Sequence, residues 1–299
     1  MRLPLILACP AAVAAACAAP AASAHAVVGN RFFPATLATD DPGVADELSM
    51  PILSSLRTGE GVRELDIEGE WSKRLTDKLG VSFGEAWTRL KGPDGETARG
   101  VQNLETTLKY RVLASPEREA IVAAGLSYEW GGSGAGRVGA ERQSTITPMV
   151  YFGKGAGELP DSLAWARPFA VTGLAGYSVP TRGRSGGERN PDVLSYGLAV
   201  EYSLGYLASH VKDLGLPDFV NHLTPLVEAS FERPVAQGGG ARTIGTVNPG
   251  LIWSGGRVQL GAEAIVPINR QSGRGAGFMV QVHFFLDDLF PRSLGRPIW

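Results

Sequence analysis

Three histidines follow residue 26, at His210, His222 and His283. A histidine beside a serine and an orienting carboxylate or carboxamide is the minimum set for acyl transfer at a membrane boundary. His210 and His222 flank one segment, and Asn221 is adjacent to His222, yet no serine stands at a spacing that brings such a pair together. An outer-membrane lipid hydrolase is therefore the weakest of the readings, the chain reads as a non-enzyme, and no catalytic residue is assigned. No metal-ligand cluster stands out and no cofactor is expected. Gly131-Gly132-Ser133-Gly134-Ala135-Gly136 superficially resembles a phosphate loop, but no helix follows it, and it reads with Gly238-Gly239-Gly240 as a surface loop.

The residues with a better claim are charged and polar side chains at alternate positions. Glu68, Glu70, Glu105, Lys109, Arg111, Glu129, Glu201, Glu228, Glu232, Glu263, Gln281 and His283 all fall on the polar side of a period-two pattern. Carboxylates outnumber cations among them. Lining an aqueous path, they would form an acidic constriction that favours cations. Paired with one another, with Lys109 and Arg111 as partners, they would fill a narrow barrel and hold it closed. Both readings stand at this point.

The elements that must position these residues are strands. In Glu64-Leu65-Asp66-Ile67-Glu68-Gly69-Glu70-Trp71 every even position is acidic and the odd ones are apolar or glycine. Residues 101 to 113 and 121 to 130 repeat the alternation. So does the run from Leu194 to Tyr206, with Tyr196, Leu198, Val200 and Tyr202 on one side and Gly197, Ala199 and Glu201 on the other. Residues 258 to 266 and 278 to 286 follow, with weaker strands at about 78 to 90, 144 to 154, 166 to 180, 222 to 235 and 243 to 253. A soluble sheet would turn its apolar face inward. Here the polar face is rich in Gly, Ser, Thr and Glu while the apolar face carries Tyr, Trp and Phe, which is the inverted pattern of a transmembrane β-barrel. The strands approach the length a tilted strand needs to cross a bilayer, and lipid cannot satisfy an open sheet edge, so the barrel must close.

The start of the chain fits export. Met1-Arg2, an apolar stretch from Leu3 to Ala22 and Ala24-His25-Ala26 have the three parts of a signal peptide, so residues 1–26 are expected to be removed. Cys9 and Cys17 would leave with it, and the remaining chain would use neither disulfides nor a cysteine-ligated metal. The 28 Lys and Arg against 30 Asp and Glu become 27 against 30 once Arg2 is lost, a formal charge of −3. Such a balance carries no electrostatic footprint for nucleic acid. No later apolar run reaches the roughly 18 residues a spanning helix needs. The location this implies is the outer membrane of a Gram-negative bacterium, with outer-membrane lipid and the outer-membrane assembly machinery as partners.

Short turns at Ser72 to Lys78, Ala114 to Arg118 and Ser254 to Gly256 alternate with long connections at Lys91 to Gly100, Gly131 to Gln143 and Thr181 to Asp192. Short turns are periplasmic in such barrels. Eleven strands are counted from residue 64, and one more from Ile52 to Arg57 or Val27 to Leu37 makes an all-β, antiparallel transmembrane barrel of twelve, with ten as the alternative. The expected organisation is a barrel over 61–288, a C-terminal tail over 289–299 and an irregular segment over 27–60 that either plugs the lumen or supplies the first strand.

The opening Phe32-Phe33-Pro34-Ala35-Thr36-Leu37-Ala38-Thr39-Asp40-Asp41-Pro42-Gly43, the alternating strands, and the ending Gly277-Phe278-Met279-Val280-Gln281-Val282-His283-Phe284-Phe285 resemble outer-membrane barrels grouped under the MetA pathway of phenol degradation. The resemblance covers nearly all of the chain after residue 26. It implies a porin-like channel or transporter for passive uptake of a small, often aromatic, organic molecule, and it brings no catalytic residues. A closed structural barrel with a salt-bridged lumen is the alternative. The chain departs from the usual ending in a terminal aromatic strand, since Asp287 to Trp299 follows the last alternation.

Overall fold

The structure is a computed structural model and describes residues 26–185, 187–236 and 242–299. The expected signal peptide and the Gly238-Gly239-Gly240 loop lie outside the described residues, apart from Ala26. Among the described residues no helix is long and apolar enough to cross a membrane.

Twelve antiparallel strands form one closed sheet: β1 (Glu47–Arg57), β2 (Arg63–Arg74), β3 (Leu79–Lys91), β4 (Glu105–Ser115), β5 (Ala120–Glu129), β6 (Thr145–Gly155), β7 (Phe169–Pro180), β8 (Asp192–Tyr202), β9 (Leu223–Ala236), β10 (Ile244–Ser254), β11 (Val258–Pro267) and β12 (Gly277–Phe285). Each pairs with its sequence neighbours. β12 pairs back onto β1, Phe285 opposite Glu47 and Gln281 opposite Ile52, which leaves no free edge in the barrel wall. A short strand, Thr97–Val101, folds back on β3 beyond the barrel proper.

The outward face is the one the alternation predicts. On β8, Tyr196, Leu198 and Val200 are exposed while Gly197, Ala199 and Glu201 are buried. Directly opposed aromatics stack across neighbouring strands, Trp71 on Phe83 at 6.0 Å and Tyr196 on Phe231 at 5.2 Å, while Phe169 meets Tyr202 edge-on at 4.7 Å. Flat amphipathic rings of this kind suit the membrane–water boundary.

Three expectations change at element ends. The barrel starts at Glu47 rather than at 61. Pro51 lacks an amide proton, and the pairing shifts between Ser49 and Ile52 on both sides of the strand, which breaks the period-two signal that would have marked β1. The alternation read through to Tyr206 overruns, because the strand stops at Tyr202 and the Ser203 hydroxyl accepts a hydrogen bond from the Tyr206 amide, capping a helical turn. The last strand ends at Phe285, one residue before the expected Leu286, and passes into a helical turn over Leu286–Leu289.

Both ends of the barrel wall lie at the same mouth, as the even strand count requires, and three of that mouth's five connections are turns of three or four residues, the periplasmic pattern. Residues 26–46 turn inward as a plug. Their first step is a hairpin of Val27–Val28 with Arg31–Phe32, reversed at Gly29. Gly29 has φ of +64°, and a Cβ there would lie 2.3 Å from the Pro116 carbonyl oxygen, so no other residue fits. After β12 the tail returns under the wall. The Ile298 and Trp299 amides donate to the Arg74 and Leu75 carbonyls.

Candidate functional site

The site is the lumen and the plug that occupies it. Ala26, Val28 and Phe33 pack with Ile121 and Ala170 in the buried apolar cluster at the periplasmic end. Burying side chains the size of Val28 and Phe33 contributes about 1.5–3 kcal/mol each. Deeper in the lumen the plug is held by polar anchors instead.

The lowest anchor is Arg31, whose guanidinium pairs with Glu119 at 3.1 Å, donates to the Pro168 and Arg167 carbonyls and lies 3.9 Å over the Tyr206 ring. Tyr206 in turn donates to Glu119 at 2.8 Å. Burial and that hydrogen bond push its phenol above the usual range. Every charge in this buried group is therefore compensated, as a low-dielectric site demands.

The central anchor is Glu228 on β9. One of its oxygens accepts from the Leu37 amide at 2.7 Å; the other accepts from Ala38 at 3.1 Å, Thr39 at 2.7 Å and the Thr39 hydroxyl at 2.7 Å. Successive amides converging on one anion form a nest, and charge-assisted bonds of this kind are the strong ones. Gln259 on β11 adds a bond to the Ala35 carbonyl at 2.6 Å.

A third anchor is Lys109 on β4, which pairs with Asp40 at 2.7 Å, donates to the Asp41 carbonyl at 2.9 Å and sits 4.4 Å over the Tyr151 ring. The fourth closes the plug. Asp46 pairs with Lys73 at 2.6 Å and Arg74 at 2.7 Å, and these two donate to the carbonyls of Leu294, Gly295 and Arg296 in the tail.

Inward glycines make the room. A Cβ on Gly197 would lie 2.6 Å from Thr39 Cγ2, and one on Gly261 would lie 2.5 Å from Leu37 Cδ1. Beside the plug remains a crevice of about 160 Å³ against β1, β2 and β12, and on the mouth side a cavity of about 360 Å³ above Thr39.

The sequence-marked residues separate into groups within this geometry. Glu228 holds the plug. Glu68, Gln281 and His283 line the crevice. Glu105 and Glu129 face each other directly across β4 and β5, Glu105 accepting from Thr107 and Glu129 from Asn103. Glu201 is 2% exposed with neither oxygen hydrogen-bonded, and Glu263 lies beside Glu228 and Asn248, again without a bond of good geometry. The expected partners of the wall carboxylates are corrected. Lys109 pairs with the plug's Asp40 rather than with a strand carboxylate, and Arg111, next to a shift in pairing, donates to the Asp77 carbonyl at the periplasmic turn.

Folding also unites residues that spacing could not. His283 Nδ1 lies 2.7 Å from the Ser49 hydroxyl, and its Nε2 lies 2.8 Å from Glu47 but off the hydrogen-bond direction. The set has the composition of a hydrolytic triad, but it faces Asp40, Asp41 and Glu70 across the crevice. A developing oxyanion would be repelled there, where catalysis needs donors aimed at it. The trio instead ties β12 to β1 at the closing seam. No group of three metal-ligating side chains occurs among the described residues.

Asp41 lies at the centre of this region, its side chain accepting from the Gly43 amide at 2.6 Å. Burial first, and Glu47 second, raise its pKa from 3.8 to about 7, against the opposing pull of Lys109.

A closed twelve-stranded barrel with an apolar outer belt and a plugged polar lumen is an outer-membrane protein of the channel-like architecture. Among solved structures it is similar to an outer membrane channel from Pseudomonas putida F1, with TM-score 0.50 and 12% identity over 85% of this chain and 99% of that one. The KdgM porin gives 0.49 and 11% over 79% and 98%, and the NanC porin 0.48 and 10% over 79% and 98%. No known protein family and no curated protein matches the sequence. At such identities the first of these likenesses speaks to the fold alone.

Proposed function

We propose that the chain is an outer-membrane channel for passive uptake of a small organic molecule, opened by withdrawal of residues 26–46 from the lumen. The observation that carries this reading is how the plug is held. Glu228, Lys109 and Gln259 grip the plug through separable polar contacts that water can replace, and open cavities lie beside it. The resemblance to MetA-pathway barrels supports uptake of a small organic solute, and the P. putida channel supports a conducting fold.

Purified protein in planar bilayers is expected to pass current in brief openings, and loaded liposomes to swell in a permeating solute. Silence in both assays favours the second reading, a structural barrel whose plug never leaves; its four anchored contact points give that reading its own support.

A further inference from the structure

We infer that the solute this lumen receives is a small organic cation of the alkylammonium type, guided by a ladder of carboxylates on β2 into the crevice beside the plug. This deepens the channel reading and rests on it.

The ladder is Glu64, Asp66, Glu68 and Glu70, at successive inward positions of one strand and so about 7 Å apart. Glu64 borders the outer mouth, and Glu68 and Glu70 border the crevice. Asp66 accepts from the Thr88 hydroxyl at 2.6 Å and Glu70 from Ser72 at 3.1 Å. Among the described residues, no lysine or arginine forms an ion pair with any of the four. The neighbouring wall adds the opposed pair Glu105 and Glu129. A chain merely filling its lumen would neutralise these charges, as it does at Asp46 and Glu119.

An independent observation lies where the ladder ends. Gln281, 4% exposed, is among the residues lining the crevice, and its buried side-chain oxygen has no hydrogen-bond partner. It is an acceptor placed among acceptors, which suits a donor-rich cation. The protein also shows how such a cation is held at this depth. The Lys109 ammonium rests on the Asp40 carboxylate, the Asp41 carbonyl and the face of Tyr151. Carboxylate, carbonyl and aromatic face together are the recognition set for an alkylammonium. An amine in the crevice would compete with Lys109 for Asp40 and so loosen one of the plug's anchors.

The test uses the full chain in planar bilayers under a potassium chloride gradient, then with butylammonium chloride on the outer side. The reversal potential should show cation preference, and butylammonium should interrupt the potassium current. Replacing Glu68→Gln together with Glu70→Gln should lower the cation-to-anion permeability ratio roughly threefold or more, while Glu68→Asp with Glu70→Asp should preserve it. Anion preference, or a ratio unmoved by the Gln pair in protein that still folds, overturns the inference and leaves the channel reading standing. If the Gln pair does not fold, a wild-type current indifferent to butylammonium overturns it equally. Absence of current in every salt removes the channel reading and this inference with it.

Discussion

Thr39 is fastened to Glu228 twice, its amide and its hydroxyl each lying 2.7 Å from the same carboxylate oxygen. The plug residue and the wall residue are 189 positions apart in sequence, so this contact exists only when the barrel has closed and the plug has entered it.

Glu228→Gln should therefore loosen the plug without opening the wall. A carboxamide keeps one acceptor oxygen but loses the charge and presents donors to the amides, at a cost of about 2 kcal/mol in docking. The open fraction should rise by roughly 30-fold on the scale of 1.4 kcal/mol per decade. Protease cleavage within residues 27–46 of folded protein in detergent measures this; cleavage no faster than wild type would remove Glu228 from the role of latch.

At the periplasmic end Arg31→Ala leaves Glu119 buried and unpaired. Breaking one partner of such a pair costs about 3–5 kcal/mol. Lower resistance to urea should follow, and Arg31→Lys should not restore it, because a single ammonium cannot serve Glu119, two carbonyls and the Tyr206 face at once. Equal stability of wild type and Arg31→Ala would refute the anchor.

The plug should respond to pH through Asp41. Its pKa in the docked plug, about 7, stands above the 3.8 of the free carboxyl. Docking is thus favoured by the protonated form, is fully supported below about pH 4, and weakens as pH rises through 7. The groups facing Asp41 are Glu47 and Asp40, which raise its pKa, and Lys109, which opposes them. Conductance or protease access should increase from about pH 4 to about pH 7, the interval between the free and docked pKa values, and level off above it. Asp41→Asn should flatten the profile near its low-pH level, and an unchanged slope in that variant would assign the effect elsewhere.

On the lipid face Leu198→Arg should cost about 2–4 kcal/mol if that position faces the bilayer core. Folding yield into lipid vesicles checks it, and a yield equal to wild type would place Leu198 away from the acyl chains.

How much of this was legible in the sequence depended on whether a residue's partner lay across a strand pair or inside the lumen. Alternation sufficed for Leu198 outward and Glu201 inward, because side-chain direction in a strand is a local property. It failed at β1, where Pro51 and the pairing shift interrupt the period. It placed Lys109 in the lumen but not its partner, since a sequence reads which way a side chain points but not what awaits it there. The plug's Arg31, Asp40 and Asp46 carried no periodic signal at all. The signal that could have found them was in the wall: Gly153, Gly197 and Gly261 at inward positions mark a lumen already occupied, and each faces a plug residue.

If the plug must move for the channel to conduct, a disulfide between Thr39→Cys and Gly197→Cys should lock the barrel shut. A Cβ at 197 would lie 3.6 Å from the Cβ of Thr39, within disulfide reach, and the only native cysteines, Cys9 and Cys17, precede the plug. Single-channel current through this variant is measured before and after addition of a reductant. The oxidised barrel should be silent and regain openings on reduction. Equal current in both states would contradict this.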